Sequence, residues 1–143
     1  MKTTAYIAGP MTNRAHFNFP AFDAVAARAR ELGIDVSNPH EHDRATYPGI
    51  DTAAATLIGD VVGLAAEVGF SFAAAMQWDL SEVARCEAII LLPEWETSTG
   101  AKAERFVAEI TGSEMLLATW QNDEWCIAHD IVQKRMSGPT VMA

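Results

Sequence analysis

The chain has 143 residues, half of them hydrophobic and a fifth charged, which suits one ordinary domain that buries a core without disulfides or metals. Its net charge of −9, with 10 basic against 19 acidic residues and no basic stripe, argues against binding a nucleic-acid backbone. A small anion stays compatible, because N–H groups at a helix start hold phosphate without basic side chains.

Cys86 and Cys126 form neither a CxxC pair nor a dense framework, so reduced thiols in a cytoplasmic protein are expected. The opening MKTTAYIAGP has no long apolar region and no segment reaches the length of a membrane span. Neither a secreted nor a membrane-embedded protein is expected.

TAYIA, residues 4–8, reads as a buried first strand ended by Gly9-Pro10. Phe22, Val25, Ala26, Ala29 and Leu32 then recur at helical spacing over residues 20–32, with a first-turn proline and Gly33 as the stop. IDVS, residues 34–37, gives a second strand broken by Asn38-Pro39, and HEHDRATYPG reads as loop. Residues 51–69, rich in alanine, read as one helix weakened by Gly59 and Gly63.

A further helix is expected over about 72–85, with a break near Trp78 left open. AIILL, residues 88–92, is an unbroken apolar run suited to a strand covered on both faces. A helix over 100–111, a strand over 114–118 and a closing helix over 126–136 complete the chain. Strands alternating with helices predict a single α/β domain, 1–143, with a mainly parallel sheet of about five strands. Ligands of such sheets bind at the carboxyl ends of the strands, which directs attention to the loops YIAGPM and PEWETSTG.

Within the second loop and its helix, Glu104 stands outside the polar stripe of Lys102, Arg105 and Glu109. Its neighbours three and four positions away are Gly100, Ala101, Val107 and Ala108, none of which forms the usual surface ion pair. The carboxylate therefore needs another partner. A capping box fails, because Ser98 and Thr99 would pair with Ala101 and Lys102. A first-turn dipole role stays open, and it would keep the group ionised. Thr97, Ser98, Thr99 and Gly100 offer hydroxyls and free N–H groups, either as an ordinary N-cap or as a phosphate seat. No GxxxxGK[ST] loop is present.

YIAGPM, WDLSEV and LLPEWETSTGAKAE, in that order, resemble the nucleoside 2-deoxyribosyltransferase superfamily. Within it the chain is most similar to a compact, phage-type group with YIAGPM and to the 2′-deoxynucleoside 5′-phosphate N-hydrolases. The resemblance implies a Rossmann-like three-layer fold and a homodimer or larger oligomer with shared active sites. It implies Glu104 as nucleophile, Tyr6 as the tyrosine that orients it, and Asp79 as the carboxylate that helps protonate the departing base. Gly9 and Pro10 would border the substrate.

Ser98 replaces the aspartate of transferases that act on free nucleosides. A hydroxyl donates to a phosphate oxygen that a carboxylate would repel, so a 5′-monophosphate substrate is expected. The reaction implied is cleavage of the N-glycosidic bond, the sugar passing to water or to another base, with no cofactor and no metal. Neither a nucleic-acid polymer nor a membrane is an expected partner. Residues 44–76 have no counterpart in the resemblance and leave base preference unassigned.

Other features have plainer alternatives. Asp79 and Glu82 have the spacing of a capping box. Trp95 and Trp78 suit either stacking on a base or the core. His40, Glu41, His42 and Asp43 read as solvated loop residues rather than metal ligands, and His16 and Arg14 follow YIAGPM closely enough to touch substrate. His129 has no triad partner, and GxSxG is absent. The rival functions are a nucleotide-binding protein without catalysis and a structural oligomer built on alanine-rich helices.

Overall fold

The computed structural model describes residues 2–130. Strands β1 (Thr4–Ala8), β2 (Asp35–Ser37), β3 (Ala88–Leu91), β4 (Glu114–Gln121) and β5 (Glu124–His129) make one sheet in the order β2-β1-β3-β4-β5. The first four run parallel and β5 returns antiparallel to β4. Helices α1 (Phe19–Glu31), α2 (Pro39–Thr46), α3 (Ile50–Leu57), α4 (Val61–Val68), α5 (Phe72–Arg85) and α6 (Thr99–Ile110) fill the connections.

Side-chain alternation along each strand sorts the layers. Ala5 and Ile7 of β1 and Ile90 of β3 pack with Phe22, Val25 and Ala29 of α1 on one face. Tyr6, Ala8, Ile89 and Leu91 pack on the other with Val83 of α5 and with Ala101 and Ala108 of α6. The result is a Rossmann-like three-layer α/β sandwich, and its central strands are apolar throughout because both faces are covered. The period of two also sends Tyr6, which carries the one buried hydroxyl of β1, toward α6.

A third cluster of Phe17, Phe19, Ile50, Ala54 and Leu64 seats α3 and α4 against the 3-10 turn Ala15–Asn18 that precedes α1. Two glycines set the loops at the carboxyl edge of the sheet. A Cβ on Gly9 would lie 2.7 Å from Leu92 Cβ, so the chain leaving β1 lies directly against the chain leaving β3. Gly59 has φ +77°, and a Cβ there would lie 2.2 Å from the Asn13 backbone nitrogen, whose N–H donates to the Gly59 carbonyl at 3.1 Å.

Several expectations from the sequence need correction. The span expected as one helix over 51–69 is two: Ile58 and Gly59 are left-handed, and Asp60 caps α4 by accepting from the Val62 N–H at 3.1 Å. Residues 39–46 are helix rather than loop, because Asn38 accepts from the His40 N–H and Pro39 occupies the first turn. The closing helix expected from residue 126 is replaced, over its described part, by β5. Asn122 and Asp123, at φ 52° and 61°, form the two-residue turn that matches hairpin twist, and Trp120 meets Trp125 edge-on across the pair. Residues 131–136 of that expected helix lie outside the described residues. Helix α5 runs unbroken through Trp78 from a Ser71 cap, so Asp79 and Glu82 lie inside it and form no capping box. Among the described residues, no single helix is long and apolar enough to cross a membrane.

The Gly59 contact is with backbone, which has little freedom to yield. Gly59→Ala is expected to lower stability by about 2 kcal/mol or more in urea unfolding. Gly112→Ala, at the same φ of +77° but with nothing within 4 Å of the added Cβ, should cost about 1 kcal/mol from backbone strain alone.

Candidate functional site

A cavity of about 590 Å3 opens at the carboxyl ends of β1 and β3, within the ~300–1,000 Å3 range of small-molecule sites. Tyr6, Gly9, Pro10, Asp79, Ser98, Gly100 and Glu104 all line it. Three elements meet there: β1 with its following loop, the middle of α5, and the start of α6.

Glu104 is 5% exposed, and the Tyr6 hydroxyl donates to its Oε2 at 2.5 Å. That is the partner its apolar helical neighbours could not supply. The first-turn dipole reading does not hold, because α6 begins at Thr99 and Glu104 is its sixth residue, beyond the turn where the dipole acts strongly. Small residues on α6 allow the close approach: Ala101 and Ala108 are fully buried against the Tyr6 side of the sheet.

Burial dominates the electrostatics. It pushes the Glu104 carboxyl well above the usual carboxylate range, and the Asp79 charge raises it further. Burial also lifts Asp79 to about 7, against the opposing effect of hydrogen bonds with Tyr6 and Glu104. The Tyr6 hydroxyl is held protonated by burial and by the Glu104 and Asp79 charges. Ionisation of either of these two buried carboxyls disfavours ionisation of the other. One acid and one carboxylate at the same cavity are the parts of a displacement with leaving-group protonation.

The start of α6 forms another wall. Ser98 is the N-cap, its hydroxyl accepting from the Ala101 N–H at 3.1 Å, and the first N–H groups of the helix have no intrahelical acceptor. A Cβ on Gly100 would meet only ordinary contacts, Met76 Sδ at 3.8 Å and Ser98 Oγ at 3.9 Å. The fold thus gives no steric demand for glycine on this wall of the cavity. Arg14 also lines the cavity, where it donates to Glu94 at 2.8 Å and to the Thr97 hydroxyl at 2.9 Å.

Other expected residues lie elsewhere. Trp95 does not line the cavity; it packs at the edge of the Tyr6 cluster with the Arg105 guanidinium 5.4 Å from its ring centroid. Trp78 stacks on His42 at 3.7 Å. His16 is exposed and outside the cavity lining. His40 is not a solvated loop residue: it is 1% exposed, stacked on Phe19, with its ring nitrogens 2.8 Å from Asp23 and 2.6 Å from Asp51. His129 sits at the end of β5, not in a helix, 3.9 Å from Glu114. Among the described residues no group of three His, Cys, Asp or Glu side chains is placed to hold a metal ion. Both cysteines are free.

Sequence reasoning missed Thr12 and Asn13, which continue the YIAGPM loop along the cavity, and Phe72 and Met76 of α5. The second pair had a signal: Phe72, Met76 and Asp79 are spaced i, i+4, i+7 and so share one helix face.

The raised carboxyls carry a stability consequence. Asp43 and Asp79 both rise from 3.8 to about 7 in the folded chain. Their protonated forms therefore contribute stability that is complete below pH 4 and is lost as pH rises through 7. His42, which burial lowers from 6.5, works in the opposite sense as a more exposed group. The melting temperature is expected to fall by about 5 °C or more from pH 5 to pH 8, and Asp79→Asn should remove a large part of that fall in calorimetry.

No curated protein matches the chain. Residues 3–117, which include all of the cavity described above, match the domain of unknown function DUF4406, and the chain belongs to that family.

Proposed function

We propose that this cavity cleaves the N-glycosidic bond of nucleoside or deoxynucleoside 5′-monophosphates through a covalent glycosyl ester on Glu104. The observation that carries the reading is the buried Glu104 carboxyl, held through Oε2 by Tyr6 and paired with Asp79, in a cavity bordered by a helix start. The likeness of YIAGPM and LLPEWETSTGAKAE to the nucleoside 2-deoxyribosyltransferase superfamily supports it.

The steps balance as follows. A Glu104 carboxylate oxygen bonds to C1′ as the C1′–N bond breaks, through an oxocarbenium-like transition state, and the proton on Asp79 goes to the departing base nitrogen. Water then attacks C1′, gives its proton to Asp79 and releases Glu104 as a carboxylate. A second base in place of water makes the same site a transferase. Tyr6 binds one carboxylate oxygen and so leaves the other to attack. The α6 start, with the Ser98 hydroxyl and the Gly100 backbone, is the seat for the 5′-phosphate.

The raised affinity of Glu104 for a proton favours one second reading, since a neutral carboxylic acid does not attack C1′. In that case the protein binds a nucleotide and returns it intact. The catalytic reading also brings with it a cytoplasmic homodimer. Phe72 lines the cavity yet is 54% exposed, an apolar edge that a second copy would cover.

Chromatography of free base released from a panel of ribo- and deoxyribonucleoside 5′-monophosphates tests both readings. Wild type should release base from at least one, and Glu104→Gln should reduce release at least about 1,000-fold while the chain stays folded. Recovery of every nucleotide intact, together with a ligand-induced rise in melting temperature, would establish the binding reading instead.

Ser98→Asp tests the phosphate seat separately. Aspartate caps a helix as well as serine does, so stability should hold. Relative kcat/KM for a monophosphate over its free nucleoside should fall at least about tenfold; an unchanged ratio places the phosphate elsewhere.

A further inference from the structure

Among the described residues, Arg14 is the one basic side chain that lines the cavity; Lys102 and Arg105 of α6 lie outside the lining. The same lining holds the Asp79 and Glu104 carboxyls, and the chain carries a net charge of −9. An anion that enters such a cavity needs a counter-charge close by.

The reaction outlined above gives this guanidinium no part, yet its surroundings are specific. Nη1 donates to Glu94 Oε2 at 2.8 Å and Nη2 to Thr97 Oγ1 at 2.9 Å. Thr97 lines the cavity next to Ser98, the cap of α6, whereas Glu94 lies outside the lining. The guanidinium therefore spans the rim, with one prong on a cavity residue and the other on a carboxylate beyond it.

Glu94 is an unusual residue for its position. Its backbone is left-handed, at φ 64° and ψ 21°, a conformation that costs least for glycine. Its carbonyl accepts from the Thr97 N–H at 3.0 Å and from the Thr97 hydroxyl at 2.7 Å, so the turn fixes the backbone from which the carboxylate reaches Arg14. Both side chains of the pair are partly exposed, at 32% and 57%, and water screens such a bond until it contributes little. A phosphate dianion offers the same guanidinium two parallel charge-assisted bonds. Exchanging Glu94 for phosphate thus loses a weak bond and gains stronger ones.

We propose that Arg14 is a specificity residue for the 5′-phosphate: in the free protein Glu94 holds its guanidinium, and a phosphate at the start of α6 takes the guanidinium over. Glu94 competes with the ligand, so a neutral nucleoside leaves the pair closed and gains nothing from it. This role rests on the phosphate seat of the N-glycosidic reading and not on the chemistry at C1′.

Isothermal titration calorimetry of the full chain with 2-deoxyribose 5-phosphate, and with 2-deoxyribose as the control without phosphate, tests the exchange. Neither sugar carries a base, so binding is read without turnover. Arg14→Gln should weaken binding of the sugar phosphate at least about tenfold, and Arg14→Lys, a point charge without the fork, should fall between Arg14→Gln and wild type. Glu94→Gln should strengthen binding at least about threefold by removing the competitor, and that gain should vanish when Arg14→Gln is added. If Arg14→Gln does not fold, Arg14→Met takes its place. A folded Arg14→Gln that binds the sugar phosphate as wild type does overturns the proposal and leaves the seat standing. So does a Glu94→Gln gain that persists without Arg14, since it then reports only a lost negative charge near the cavity. Wild type that binds 2-deoxyribose 5-phosphate no better than 2-deoxyribose takes down the phosphate seat and this role with it, whereas wild type that binds the sugar phosphate but releases no base from any nucleotide takes down the reaction alone.

Discussion

The hydrogen bond from the Tyr6 hydroxyl to the Glu104 carboxyl, 2.5 Å long and buried, is the constraint on which the rest of the site depends. It joins the only buried hydroxyl of β1 to the only acidic side chain buried in α6. Without Tyr6 the carboxyl would lie in an apolar layer with no strong donor, at a cost of several kcal/mol as an anion. The bond fixes several things at once. Strand β1 must present position 6 to the α6 face, α6 must start where Ser98 caps it, and β1 and β3 must lie close enough that Gly9 tolerates no Cβ against Leu92.

Charge is treated differently inside the cavity and away from it. Arg30 and Glu41 make a two-pronged pair at 2.7 Å, and Asp51 is bonded by both Arg44 and His40. These carboxyls are held below their ordinary values by hydrogen bonds from their partners. At the cavity the balance is reversed. Asp79 and Glu104 are raised by burial, against the hydrogen bond that each makes with Tyr6. Asp43, outside the cavity lining, is also raised by burial, but among the described residues only at the cavity do two raised carboxyls stand together, a pattern expected of a reactive site.

Much of this was legible in the sequence because it rests on short-range patterns. The apolar runs TAYIA and AIILL announce strands covered on both faces, and the missing ion-pair partners around Glu104 announce a carboxylate bonded across the fold. The failures have equally local causes. Asn38-Pro39 reads as a break in the sequence, yet the same two residues make a cap and a first turn. CIAH, residues 126–129, reads as the start of a helix, although the Asn122-Asp123 pair just before it suits a hairpin. Gly59 ends a helix because of a contact with Asn13, which no local pattern contains. The burial of His40 and Asp43 depends on α2 packing against α1, α3 and α5, so it too lay beyond reach of composition and spacing. Trp95 had the right neighbours in sequence for a cavity residue, but Arg105 and the Tyr6 cluster claim its ring.

The most direct test of the central claim is intact-protein mass spectrometry after rapid acid quench of the full chain mixed with excess deoxynucleoside 5′-monophosphate. The account predicts a transient adduct with the mass of the sugar phosphate, located by peptide mapping on the segment carrying Glu104 and absent in Glu104→Gln. Base release without any adduct, or an adduct mapped to another residue, would contradict Glu104 as the nucleophile.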